Sequence, residues 1–89
     1  MVPQWSPEDV KRRLDAGEPL LLLDVREPWE HAAAHLPNST LIPLGDLPGR
    51  AHEVEAPEGG AVVVLCHHGV RSLKAAIYLR HVGVEPVAN

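Results

Sequence analysis

Long apolar runs are missing from this sequence. The two longest, residues 20–23 and 61–66, fall far short of the roughly 20 residues that a membrane-spanning helix needs. No such helix is expected. A basic excess is also missing: 8 Lys+Arg stand against 12 Asp+Glu for a net charge of −4, and Lys11, Arg12 and Arg13 form the single basic run. Surfaces that track nucleic-acid phosphates need such an excess, so nucleic acid is not expected as a partner. The start of the chain lacks a basic segment followed by an apolar one, which leaves the cytoplasm as the default expectation. Cysteine occurs once, at position 66. An internal disulfide is thereby excluded, and a lone intracellular cysteine is either a small buried hydrophobe or a nucleophile.

What the sequence does have is the composition of a folding domain. Eighty-nine residues with 45% hydrophobic and 22% charged side chains suit one hydrophobic core and argue against disorder. The nine prolines, about twice the usual ~5% share, divide the chain into short elements and leave residues 58–85 proline-free. Proline is tolerated in first turns and connections but not inside helices or central strands, so this span should hold the best-ordered elements.

Ser6-Pro7-Glu8-Asp9 predicts a helix of about ten residues: an N-cap hydroxyl, proline at the first helical position, and acids that complement the dipole. Trp5 and Val10 are placed as a hydrophobic staple, and Gly17 as the stop. Residues 20–25 are apolar without alternation, as in a strand covered on both faces. A short helix over 28–36 and a brief strand over 40–42 follow. The segment 45–60 reads as turn-rich, with one weak helical turn at 50–54. Gly59-Gly60 launches a β-branched run, 61–66, the clearest strand in the chain. A helix over 70–82 stopped by Gly83 and a last strand over 84–88 complete the pattern. Strands alternating with helices predict a three-layer α/β/α fold around a central, mostly parallel sheet of about five short strands.

Cys66 falls where a buried strand ends and the turn into a helix begins, the edge at which open parallel sheets bind ligands. The loop His67-His68-Gly69-Val70-Arg71 can turn its N–H groups and the helix N-terminus toward the sulfur, with Gly69 supplying a positive φ or a close approach. The dipole and the Arg71 guanidinium would favour thiolate over thiol, and protonated His67 and His68 would add to that. Strand, cysteine, turn and helix alone fit both a reactive thiol and a cysteine that closes a core strand.

The flanking residues are more specific. Cys66-His67-His68-Gly69-Val70-Arg71-Ser72 resembles the active-site loop of the rhodanese-like sulfurtransferase family, Cys-x-x-Gly-x-Arg-Ser. Asp24-Val25-Arg26-Glu27 with Trp29 and Glu30, then His35-Leu36-Pro37 and Ile42-Pro43-Leu44, resembles the family's other signature. The resemblance runs from residue 6 onward. It implies a Cys66 thiolate that takes the outer sulfur of thiosulfate or another donor and holds it as a persulfide. The sulfur then passes to cyanide, a thiol or a protein acceptor. Arg71 would attract and orient the anionic donor. Ser72 would either serve the loop, by capping the helix or hydrogen-bonding the loop, or be a plain residue of the first helical turn. The implied pairing of strand 20–25 with strand 61–66 leaves Arg26 two roles: a second basic group for the donor, or an ion pair with Glu27 or Glu30. Asp24 is expected to accept loop N–H bonds. Phosphate-binding Cys–Arg loops place five residues between the two, whereas four intervene here, which speaks against a phosphatase.

His31 and His35 have the i, i+4 spacing of paired metal ligands, but a third ligand is missing and His35 matches a family motif position. No metal or cofactor is expected. Trp5 and Trp29 read as staple and core. Asn38 stands where the family has glycine, a position asparagine can fill in the left-handed conformation. Family domains continue past the last strand with a further helix that residues 1–89 do not show, so a shortened chain or a contact covering that sheet face is expected. The alternative to a free-standing enzyme is a persulfide carrier or interaction module acting on a partner protein.

Overall fold

A computed structural model describes residues 2–66 and 69–89. Helix α1, Pro7–Asp15, starts in a capping box: Ser6 Oγ accepts from the Asp9 N–H at 3.0 Å, and the Asp9 carboxylate accepts from the Ser6 N–H at 3.1 Å. At its other end Gly17, with φ +81°, and Glu18 donate back to the Leu14 and Arg13 carbonyls, satisfying the last turn in a Schellman arrangement. Trp5 packs against the cluster that holds Val10, as the staple predicts.

Strands β1 (Leu20–Asp24), β2 (Thr40–Leu41), β3 (Ala61–Leu65) and β4 (Val87–Ala88) form one parallel sheet in the order β2-β1-β3-β4. Its two faces are covered by different elements. Leu23, Val25, Val62 and Val64 meet Ala75, Ala76 and Leu79 of helix α4 (Val70–His81), together with Leu47 and Val54. Leu22 and Val63 point the other way, toward Val10 of α1. Burial on both sides is why β1 and β3 read as continuous apolar runs. The architecture is the expected layered α/β fold, with four strands among the described residues.

Three segments depart from the sequence pattern. Helix α2 spans Pro28–Ala33, short of residue 36. Ala34 turns extended, and its carbonyl accepts from Arg26 Nη2 at 2.7 Å rather than from a further helical N–H. The segment 44–53 is more helical than expected: a 3₁₀ turn at Leu44–Asp46, helix α3 at Leu47–Arg50 and a second 3₁₀ turn at Ala51–Glu53. Leu47, 1% exposed, anchors it in the core, and Pro48 occupies a first-turn position that tolerates it. Strand β4 starts at Val87 rather than at 84, because Gly83 and Val84 donate to the Arg80 and Leu79 carbonyls and so end α4.

Gly60 precedes β3 in close contact with the end of the α1–β1 connection. A Cβ there would lie 1.6 Å from the Pro19 carbonyl oxygen, which accepts the Ala61 N–H at 3.2 Å. From that rung the ladder runs Leu20 with Ala61 through Asp24 with Leu65, which carries residues 24–26 alongside Cys66. Among the described residues, no helix is long and apolar enough to cross a membrane.

Candidate functional site

Cys66 follows β3 by one residue, and its sulfur lies against the first turn of α4. Sγ accepts from the backbone N–H groups of Gly69 at 3.1 Å and Ser72 at 3.2 Å. Gly69, at φ +82°, is the N-cap of α4. A left-handed residue here costs a side-chain-bearing amino acid about 1–2 kcal/mol, and it aims the Gly69 N–H at the sulfur. The sulfur thus takes the place of the oxygen that usually caps a helix, and hydrogen bonds plus the dipole favour its anionic form. Ser72 is 3% exposed; its hydroxyl donates to the Gly69 carbonyl at 3.1 Å, so of its two expected roles it takes the loop hydrogen bond. Val70 begins α4 and is 60% exposed. His67 and His68 lie outside the described residues.

Arg71 is tied differently from expectation. Its Nη1 and Nη2 donate to the two Glu30 carboxylate oxygens at 2.6 and 2.9 Å, a bidentate clamp between α2 and α4. The Glu30 carboxylate also accepts the Glu27 N–H at 2.9 Å. Arg71 first and that N–H second hold the Glu30 carboxyl down to about 2, from an ordinary 4.5. Arg71 is correspondingly raised, chiefly by the Glu30 hydrogen bonds, with the nearby Cys66 adding to the rise. Its charge therefore acts on the sulfur from a fixed position.

The pair makes a pH prediction. A carboxyl depressed on folding contributes stability that is complete above its unfolded value and lost as pH falls through its folded one. The window here runs from 4.5 down to about 2. Urea midpoints should place wild type above Glu30→Gln at pH 7 and show the gap closing across that window. A gap independent of pH would mean the clamp is absent in solution.

Arg26 also has a partner other than the two expected. Its Nε lies 3.0 and 3.1 Å from the Asp24 oxygens, its Nη2 lies 2.9 Å from Oδ2, and its backbone N–H donates to Oδ1 at 3.0 Å. Glu27 does not take it, and Glu30 belongs to Arg71. Asp24 accepts a loop N–H as expected and is 2% exposed. Burial works to raise its carboxyl, but the Arg26 side-chain and backbone hydrogen bonds together outweigh burial and hold it below the ordinary value. The pairing is local, between residues two apart, and it meets the need of a buried carboxylate for a cation within reach.

A groove of about 930 Å³ opens over the sulfur, lined by Trp5, Val10, Leu36, Leu65, Arg26 and Cys66 among others. A second hollow of about 640 Å³ lies beside Leu73, Ile77 and Arg80, away from Cys66. Trp29, expected in the core, is 72% exposed. It is next to Glu30 on a short helix, and the ~100° between successive residues turns it outward when Glu30 faces Arg71. The His31 and His35 rings stack at 3.8 Å and 10°, and His35 Nδ1 lies 2.7 Å from the His31 carbonyl. The stacked rings do not converge on a common point. Asn38 is left-handed at φ 64°, as its place in the motif predicts.

Two contacts have no signal in the local sequence. Glu30, a candidate partner of Arg26, binds Arg71 instead, 41 positions away. Asn89 donates from Nδ2 to Ser72 Oγ at 3.2 Å, a contact with no local sequence signal.

A parallel layered sheet with a cysteine seated on a helix N-terminus at its carboxyl edge defines the class: the chain belongs to the rhodanese-like domain family, whose model matches residues 6–89. Among relatives, it is 35% identical over 89 residues to a "Sulfurtransferase" of Allochromatium vinosum, covering 100% of this chain and 81% of that protein. It is 39% identical over 88 residues to the "Putative sulfur carrier protein YrkF" of Bacillus subtilis, covering 99% of this chain and 46% of that protein. The chain thus spans about half the length of that relative. The human single-domain sulfurtransferase TSTD1 superposes with a TM-score of 0.81 at 27% identity, covering 100% of this chain and 88% of the other.

Proposed function

We propose that this protein is a sulfurtransferase working through a persulfide on Cys66. The observation that carries the reading is the sulfur held by the Gly69 and Ser72 N–H groups at the start of α4. The Cys66 thiolate attacks the outer sulfur of thiosulfate or a comparable donor. A new S–S bond forms, the donor's S–S bond breaks, and sulfite leaves with the bonding pair. The N–H groups that hold the thiolate are placed to stabilise the charge as it moves onto the added sulfur. Arg71, fixed by Glu30, is the guanidinium placed to orient the anionic donor beside the sulfur, while Arg26, paired with Asp24, forms part of the groove wall. Cyanide or a thiolate then attacks the outer sulfur, becoming thiocyanate or a persulfide, and the Cys66 thiolate returns.

A second reading is that of a carrier that exchanges sulfur with a partner protein. The groove favours it, since Trp5, Val10 and Leu36 give the opening over the sulfur an apolar wall of the kind a partner protein's side chains could contact. The name of the Bacillus subtilis relative is consistent with it. Intact mass after incubation with thiosulfate and removal of excess donor tests the first reading. One added sulfur atom per chain, discharged by cyanide as thiocyanate, is the expected result. A folded chain that takes no sulfur from thiosulfate but accepts it from a protein persulfide would replace the enzyme reading with the carrier.

A further inference from the structure

Among the described residues, the N–H donors to the Cys66 sulfur belong to one corner of the chain, Gly69 to Ser72, and a side chain just past β4, the edge strand beside β3, reaches that corner. Asn89 Nδ2 donates to Ser72 Oγ at 3.2 Å, and Ser72 Oγ donates to the Gly69 carbonyl at 3.1 Å. A hydroxyl has one proton. With Asn89 donating to its oxygen, that proton is committed to Gly69, and the two residues whose N–H groups hold the sulfur are locked together. The Asn89 backbone is itself pinned: its N–H donates to the Pro3 carbonyl at 3.0 Å, and its carbonyl accepts the Trp5 N–H at 2.7 Å. Among the described residues its buried Oδ1 has no hydrogen-bond partner, and Ser72 is the contact that orients the amide.

We propose that Asn89 is a positioning residue for the Cys66 nucleophile, acting through Ser72 to fix the N–H corner that holds the sulfur. The inference rests on the role proposed for Cys66. Its test needs no sulfur donor.

The experiment is the pH profile of Cys66 alkylation by iodoacetamide, followed by mass spectrometry on the full chain. The variants are Asn89→Ala, Asn89→Asp, Ser72→Ala and the Ser72→Ala/Asn89→Ala double. The Asn89 main-chain bonds are independent of its side chain and remain in each. Loosening the N–H corner that favours the thiolate moves its titration up, so Asn89→Ala should alkylate roughly three- to tenfold more slowly below neutral pH. At alkaline pH, where both forms are ionised, the rates should converge. Asn89→Asp, which replaces a donor by a negative charge, should shift the profile further. Ser72→Ala should match Asn89→Ala, and the double variant should add nothing to Ser72→Ala. A profile unmoved in Asn89→Ala, with thermal stability alone reduced, would overturn the assignment. So would an Asn89→Ala shift that persists undiminished on the Ser72→Ala background. A wild type that alkylates as described but accepts sulfur from no donor would refute the sulfurtransferase reading and leave the role of Asn89 standing.

Discussion

Replacing Cys66 by serine should abolish sulfur uptake while leaving the fold intact. A serine hydroxyl can accept the same two N–H groups, from Gly69 and Ser72, and serine is among the best residues at helix starts. The thermal midpoint of Cys66→Ser should therefore equal or exceed that of wild type, the behaviour of a site that gives up some stability for reactivity. Chemistry is another matter. A hydroxyl remains protonated where the thiol ionises, and it is a far weaker nucleophile toward sulfur. The loss of sulfur transfer should be on the order of a thousandfold or more, with no added sulfur in the intact mass. Retained transfer in a folded Cys66→Ser protein would remove the persulfide from the mechanism.

The largest effect on stability should come from Gly60→Ala. The new Cβ would lie 1.6 Å from the Pro19 oxygen and 2.7 Å from the Pro19 carbonyl carbon. Neither atom is the end of a flexible side chain, so backbone must move. The same Pro19 oxygen accepts the Ala61 N–H, and any shift loosens the first rung between β1 and β3. Overpacking of this kind costs about 3 kcal/mol, a large share of the marginal stability of a domain this small. At roughly 4–8 °C per kcal/mol for such domains, the thermal midpoint should fall by about 15 °C. A Gly60→Ala protein as stable as wild type would show that the β1–β3 start relaxes at no cost.

Much of the molecule was legible because its causes are local. Ser6, Gly17 and Gly83 act within a few residues of themselves, and they set the ends of α1 and α4. The apolar runs at 20–25 and 61–66 announced strands covered on both faces. The spacing of Cys66, Gly69 and Ser72 anticipates the sulfur's hydrogen bonds, because all three lie within seven residues. The helical segment 44–53 and the exposed Trp29 were illegible for the opposite reason. Burial of Leu47 overrides turn-forming residues, and the orientation of α2 is fixed by what Glu30 binds, not by the hydrophobicity of its neighbour.

The charged partners divide in the same way. Cys66 at the end of the β-branched run, and Asp24 and Arg26 at the end of the other apolar run, are placed by the chain's own pattern. That the two ends lie side by side is what the family resemblance implies. Packing of distant elements selected two pairings, Arg71 with Glu30 and Asn89 with Ser72, whereas Arg26 and Asp24, two residues apart, pair within one loop. A capping bond is selected by the few conformations open to one turn of chain. A contact between residues 41 positions apart is selected by strand register, by the angle at which helices cross the sheet, and by the need of each buried charge for a partner.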